Sequence, residues 1–284
     1  MKVHAIRTGA VRIKLAQMEA PRPGPFGVFG VLADANWSGW KPTYAWAIEH
    51  HDGVIVVDTG QATYLLEEVR RSWHPFLRNC AQFDIAPEQE VGPQLRALGI
   101  GSGDVKQVVL THMHIDHDAG LGHFPQSLVR ASRGEVASAR GVMGMLRGHL
   151  PKRWPSWFDP ENLDLTDGAY GPFVASRRLT KDGSVVAVAT PGHTPNHLSV
   201  IVESGDVSIF LAGDTSYSER LTLEGKIDGI SMNACVTART LANIRQFGSE
   251  RPVVYLPTHD PDAGERLDRR QIMPLYAAKG SYAA

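Results

Sequence analysis

The chain has 284 residues, 43% of them hydrophobic, which is ample for a sizeable core in one large α/β domain or two small ones. A formal net charge of −1 offers no basic field to recruit nucleic acid, and no uninterrupted apolar run approaches the length of a membrane span. Two cysteines argue against a disulfide scaffold and residues 1–7 carry no apolar signal core, so the expectation is a soluble protein of the reducing cytoplasm with neither membrane nor nucleic acid as partner.

Residues 3–15 read as an early strand. Residues 20–25 are a stiff loop, because each proline fixes its own φ and restricts its predecessor. Phe26, Phe29, Trp37 and Trp40 follow among glycines and predict an ordered aromatic loop. Residues 44–49 and 54–57 predict two strands joined by a turn at His51-Asp52-Gly53, the second ending in Asp58-Thr59-Gly60. Residues 61–99 lean helical, with Leu65, Leu66, Val69 and Trp73 near helical spacing and a second helix over 87–98 that Gly99 stops. Residues 107–111 are strand-like, 135–150 predict a helix weakened by three glycines, and 151–160 predict a loop rich in Trp, Phe and Pro. Three short β runs follow at 185–188, 198–202 and 207–211, then a helix over 237–247 and a buried strand over 253–256. Strands in both halves with helices between them predict a layered α/β arrangement, and no linker separates two independent domains.

The chemistry is concentrated where the strand over 107–111 ends, in His112-Met113-His114-Ile115-Asp116-His117. Three imidazoles and a carboxylate within six positions suit zinc, manganese, cobalt or iron, with His112 and His114 serving one ion and Asp116 and His117 a second. Two such ions about 3.5–4 Å apart form a hydrolytic device. A structural zinc would more often recruit cysteine, and Cys80 and Cys235 lie near no CxxC pattern. Further ligands are expected on loops that end strands: His193 after 185–189, Asp214 after 207–211 and His259 after 253–256, each reached through a glycine or proline turn.

Taken together, the HxHxDH run, the Pro-Gly-His at His193, the Gly-Asp at Asp214, the late His259 and the Asp58-Thr59-Gly60 turn resemble the metallo-β-lactamase superfamily, from about residue 40 to about residue 260. The resemblance implies an αββα sandwich, two mixed sheets flanked by helices, over a single domain spanning 1–284. It implies His112, His114 and His193 on one metal, Asp116, His117 and His259 on the other, and Asp214 bridging two divalent ions, zinc first with Mn, Co or Fe as alternatives. Members with cysteine at the bridging position are disfavoured by Asp214, flavo-diiron members by the intact His114, and nuclease members by the near-neutral charge. Tyr217, three positions after Asp214, resembles the quorum-quenching N-acyl homoserine lactonases, in which a tyrosine so placed points at the substrate.

The expected activity is therefore opening of lactone rings, most of all N-acyl homoserine lactones, with Asp116, Asp214 and Tyr217 as the catalytic side chains and a small-molecule lactone or ester as substrate. An arylesterase or phosphotriesterase-like hydrolase is the alternative, followed by a glyoxalase II-like thioesterase, whose carboxylate-binding bases Arg266, Arg269 and Arg270 would imitate. A non-enzymatic metal-binding subunit fits less well, because every expected ligand position is filled. A homodimer is a further implication of the resemblance. The acyl trough has candidate walls in Phe26, Phe29, Trp37, Trp40, Phe76, Phe83, Trp154, Trp157 and Phe158. Asp58 is expected to hydrogen-bond a ligand histidine, and Asp118 and Asp260 to cap loops. His197 and His123 are expected in packing or supporting roles, and His50, His51, His74 and His149 exposed or half-buried.

Overall fold

Runs of Val, Ile, Ala and Trp build the first sheet from β1 (Lys2–Ile13), β2 (Lys41–His50), β3 (Gly53–Val57), β4 (Ala81–Asp84), β5 (Val105–Val109), β6 (Leu128–Ala131) and β7 (Glu161–Asn162), in the spatial order β4-β1-β2-β3-β5-β6-β7. The computed structural model describes residues 1–276. In it the chain divides into two compact units, the first made of Met1–Leu15 and Val31–Leu163, the second of Ala16–Gly30 and the residues from Asp164 onward. In the first unit β1, β2 and β3 pair antiparallel, whereas β3, β5, β6 and β7 run parallel. The parallel strands are buried on both faces, and Val56, Val57, Val108 and Val109 have no exposed surface. Ala45, Val108, Leu110, Met113, Leu121 and Phe124 share one core, so the segment that carries the first histidines leaves a rigid strand end.

The second unit holds β8 (Ser176–Arg178), β9 (Val185–Ala189), β10 (Leu198–Ser204), β11 (Val207–Gly213) and β12 (Val253–Pro257), in the order β12-β11-β10-β9-β8. Strands β8 to β11 pair antiparallel; β12 returns parallel to β11 after the long helix Ala234–Glu250. Phe173, Phe210, Ile244, Phe247 and Tyr255 pack the core of this unit, with Phe247 centroids 5.6 Å from Phe173 and 6.0 Å from Phe210. Phe247→Ala is expected to cost about 3–5 kcal/mol, because the hole cannot close between rings held by two elements. An unfolding free energy from urea titration within about 1 kcal/mol of wild type would contradict that packing.

Four local readings change in the structure. Part of the aromatic stretch after the prolines, around Phe29, is a helix, Gly27–Ala33, anchored by Val31 with no exposed surface, and its two glycines hide the pattern in the sequence; Phe26, Trp37 and Trp40 lie outside it. Within the helical 61–99 region, Ala81–Asp84 is instead a strand on the edge of β1, too short to show a period of two. The helix expected over 87–98 is split into a 3-10 turn at Pro87–Gln89 and the helix Val91–Ala97. Extended Glu90 lies between them, and its carboxylate accepts from Thr63 N at 2.8 Å and Oγ1 at 2.7 Å and pairs with His123 Nε2 at 2.7 Å. The helix over 135–150 breaks into Arg133–Ala139 and Gly141–Leu146, because Gly141 sits at φ 66° in the left-handed region that ends helices. No helix among the described residues is long and apolar enough to cross a membrane.

Candidate metal centre

Asp58 organises the first group of expected ligands. It closes β3 at φ 58°, a backbone conformation that Asp tolerates better than most residues, and its N–H donates to Val109 O at 2.9 Å. Its carboxylate receives Thr111 N at 2.8 Å on Oδ1, and Thr111 Oγ1 and His117 Nδ1, both at 2.9 Å, on Oδ2. Thr59 then donates from N and from Oγ1 to His117 O, each at 2.8 Å. The Asp-Thr-Gly turn thus grips the histidine loop at both ends. Gly60 completes it at φ 67°, where a Cβ would collide with the Thr8 side chain.

This wiring sets the tautomers. Thr111 Oγ1 spends its hydrogen on Asp58, so at 3.0 Å it accepts from His112 Nδ1–H, which leaves His112 Nε2 as the lone-pair nitrogen. His117 donates Nδ1–H to Asp58 and likewise presents Nε2. His112 and His117 are fully buried, their ring centroids 4.1 Å apart. His112 Nε2 lies 3.0 Å from His114 Nδ1, and Asp116 Oδ1 lies 4.0 Å from His117 Nε2. Tetrahedral zinc with bonds of about 2.0–2.1 Å sets its nitrogens about 3.3 Å apart, so the spacing of the first pair suits a shared cation.

Two more side chains support this loop. His149 donates Nδ1–H to Met113 O at 2.6 Å and lies along His114, centroids 5.6 Å apart; burial depresses its basicity against the pull of that carbonyl. The sequence reading had His149 at or near the surface, but it is buried, because the loop after Gly148 folds back onto the histidine loop. Asp118 caps no loop: burial pushes its carboxyl up to about 7, opposed by the Trp154 Nε1–H that it accepts at 2.7 Å.

In the second unit the expected ligands follow β9, β11 and β12 directly. Asp214 Oδ2 stands 3.5 Å from His193 Nε2 and 3.2 Å from His259 Nε2. All three residues are buried. His193 Nδ1–H donates to Asp228 Oδ2 at 3.3 Å, and Asp228 is itself held by Ile230 N, Ser231 N and Ser231 Oγ at 2.7–2.9 Å. His197 is a supporting residue: Nε2 accepts from Asp214 N at 3.1 Å, and Nδ1–H begins a relay through Thr190 Oγ1 and Ser199 Oγ to Ala212 O. Tyr217 is buried with its ring stacked on His259 (5.6 Å, 21°) and edge-on to His193 (6.2 Å, 73°). Asp260 caps as expected, accepting from Glu219 N and Asp262 N, and also receives Arg266 Nη2 at 3.0 Å. Arg266 also donates to Tyr255 O and pairs with Glu219, Arg269 pairs with Glu265 and Arg270 bonds Ser204 O, so each of these bases already has a local task.

The donor chemistry fits divalent cations. His112 and His117 reach one carboxylate through their Nδ1 side, His193 reaches another, and all three keep Nε2 for a ligand bond, the arrangement that orients histidines on zinc. Neither Asp228 nor Gln17 (whose Nε2 donates to Tyr217 Oη at 3.0 Å) is anticipated from the sequence, and His149 is given no supporting role there. They sit 35, 200 and 36 residues from their partners, and only the compact Asp228-Gly229-Ile230-Ser231 turn leaves a local trace.

Comparison with known proteins places these motifs. The family model of the Metallo-beta-lactamase superfamily matches residues 38–259. The N-acyl homoserine lactonase AttM of Rhizobium radiobacter is 27% identical over 230 residues, covering 78% of this chain and 83% of the relative. A probable metallo-hydrolase of Mycobacterium tuberculosis, Rv2300c, is 30% identical over 186 residues, covering 63% of this chain and 58% of that protein. Among solved structures, an N-acyl homoserine lactone hydrolase with N-hexanoyl-L-homoserine bound at its catalytic metal centre superposes with a TM-score of 0.74 at 16% identity, covering 96% of this chain and 97% of that one. AidC, a dizinc quorum-quenching lactonase, superposes with a TM-score of 0.60 at 12% identity, over 92% of this chain and 90% of that one. At those identities the superpositions establish the fold, two mixed sheets flanked by helices.

Proposed function

The chain belongs to the metallo-beta-lactamase superfamily, and from that membership we propose that it is a dinuclear-metal hydrolase opening lactone rings, N-acyl homoserine lactones first among them. The observation that carries the reading is the carboxylate-fixed set of Nε2 donors, with a second carboxylate, Asp214, between two of the imidazoles. Relatives that match over 78% of the chain are lactonases by name, which supports this substrate class.

In this reading His112, His114 and His193 would hold one ion, Asp116, His117 and His259 the other, and Asp214 would serve both. Zinc is the preferred metal, on the imidazole–carboxylate donor set and on the dizinc character of one solved relative. Two divalent cations would supply Lewis acidity and water activation near neutral pH. The remaining steps belong to the protein. Asp214 orients the attacking water and carries its proton on the carboxylate toward the leaving alkoxide. Asp58 and Asp228 hold the imidazoles so that no proton competes for Nε2. The Tyr217 phenol donates to the lactone carbonyl or to the departing ring oxygen.

The direct experiment assays metal-replete protein side by side on an acyl homoserine lactone, a thioester, an aryl ester and paraoxon, reading lactone opening as proton release with a pH indicator. Lactone turnover with about two equivalents of metal is the expected result. An inert lactone beside rapid paraoxon or aryl-ester turnover would replace this reading with the arylesterase or phosphotriesterase one. Tyr217→Phe is expected to keep the metal and lower kcat about tenfold, the worth of one neutral hydrogen bond made in the transition state. Unchanged turnover would remove Tyr217 from the mechanism.

A further inference from the structure

We propose that Gln17 is a positioning residue for Tyr217: by donating its side-chain amide to the phenol oxygen, it assigns the phenol's own hydrogen to the substrate side. The inference rests on the proposed reading of Tyr217 as a hydrogen-bond donor to the substrate. Gln17 Nε2 lies 3.0 Å from Tyr217 Oη, with Gln17 7% and Tyr217 2% exposed. The tyrosine ring cannot turn easily, because His259 stacks on its face and His193 stands at its edge. What is left to set is the direction of the hydroxyl hydrogen. A hydroxyl that accepts from an amide on one side points its hydrogen elsewhere.

Two further observations support a dedicated role. The four-residue helix that carries Gln17, Leu15–Met18, is fastened at its C-terminal side to the loop of Asp228: Gly229 N donates to Gln17 O at 2.9 Å, and Ala20 N to Ile227 O at 2.8 Å. The segment that meets Tyr217 is therefore held to the loop that orients His193. Gln17 Oε1, moreover, is buried with no hydrogen-bond partner. An orphaned buried carbonyl is unfavourable, and a leucine of similar size would fill the space without it. An amide kept there at that disadvantage is explained by what its N–H group does for Tyr217. Stability traded for geometry is the usual mark of a preorganised site.

The test is a double-mutant cycle, run on whichever of the four substrate classes the wild type turns over fastest, so that failure on lactones would remove the lactonase reading without removing this one. Gln17→Leu is expected to lower kcat about 3- to 10-fold, no more than Tyr217→Phe does, with KM within about twofold, as for an interaction made in the transition state alone. Metal content should stay at wild type, and the thermal midpoint should not fall. Gln17→Glu, of equal size and reversed polarity, should lose as much, because its carboxylate takes the phenol hydrogen. In a Tyr217→Phe background neither change should cost more than about twofold. Equal losses in both backgrounds, or a fully active Gln17→Glu, would overturn the proposal. A readout free of turnover is the Cζ resonance of 13C-labelled tyrosine. The Tyr217 signal, identified by its loss in Tyr217→Phe, should move in Gln17→Leu, and a stationary signal would dismiss the contact.

Discussion

Asp214→Asn is expected to drop the metal content of dialysed protein from about two equivalents to one or fewer and to lower kcat/KM at least about 100-fold. The substitution keeps size and shape, and the backbone N–H that bonds His197 Nε2 is untouched, so the loop should stay folded. What changes is charge at one point. Asp214 Oδ2 lies within 3.5 Å of His193 Nε2 and 3.2 Å of His259 Nε2, in a pocket where the residue is 4% exposed. Removing the negative charge leaves two cations to repel each other with less compensation in a medium of low dielectric, where such repulsion is poorly screened. An amide NH2 turned toward the same point would add donors where ligand lone pairs are needed. Metal analysis after dialysis and a lactone progress curve test both parts. Retention of two ions with activity within about tenfold of wild type would mean that Asp214 joins nothing.

Asp58→Asn should lower metal affinity about 10- to 100-fold, although Asp58 is assigned to no metal. Asn adopts the left-handed conformation at φ 58° as readily as Asp, so no backbone strain is introduced. Its carbonyl can still accept from Thr111 N. Its NH2, however, then meets the Thr111 hydroxyl and His117 Nδ1–H, donor against donor. The relief is to move each hydrogen: His117 passes its proton to Nε2, and Thr111 turns its hydroxyl toward His112 Nδ1, which sends that proton to Nε2 as well. Both nitrogens needed for ligation become N–H groups. Zinc titration against a chromophoric chelator measures the loss, and saturating metal should restore part of the turnover. An unchanged dissociation constant would show that the tautomers are set by something other than Asp58.

What could be read in the sequence was whatever is local. A β run, a glycine or proline turn and then a candidate ligand is a pattern within about ten residues, and His193, Asp214 and His259 each stand within four residues of the ends of β9, β11 and β12. A hydrogen bond from one of the expected ligand histidines to Asp58 was anticipated from the sequence, and the structure gives His117 as that histidine. Gln17, Asp228 and His149 escaped because nothing near them in the sequence marks them; each takes its role from a partner dozens to hundreds of residues away. Glycine misled twice in opposite directions: Gly27 and Gly30 disguise a helix that forms, and Gly141 interrupts one that was expected to continue. Nor does aromatic content separate a packing role from an exposed one. Phe26 and Phe29 are 78% and 62% exposed, Phe158 is buried in the core, and Trp154 is committed to Asp118.

The interleaving of the two units bears on how the protein can be divided. Residues Ala16–Gly30 belong with the chain from Asp164 onward, although β1 before them and β2 after them belong to the other sheet. A scission between Leu163 and Asp164 would therefore not release two self-sufficient pieces. The C-terminal fragment would lack the donor for Tyr217 and the strap across Ile227 and Gly229, both encoded within the first twenty residues. During synthesis the same segment must wait undocked until nearly the whole chain has emerged, a long loop closure that sets when this half of the protein can mature.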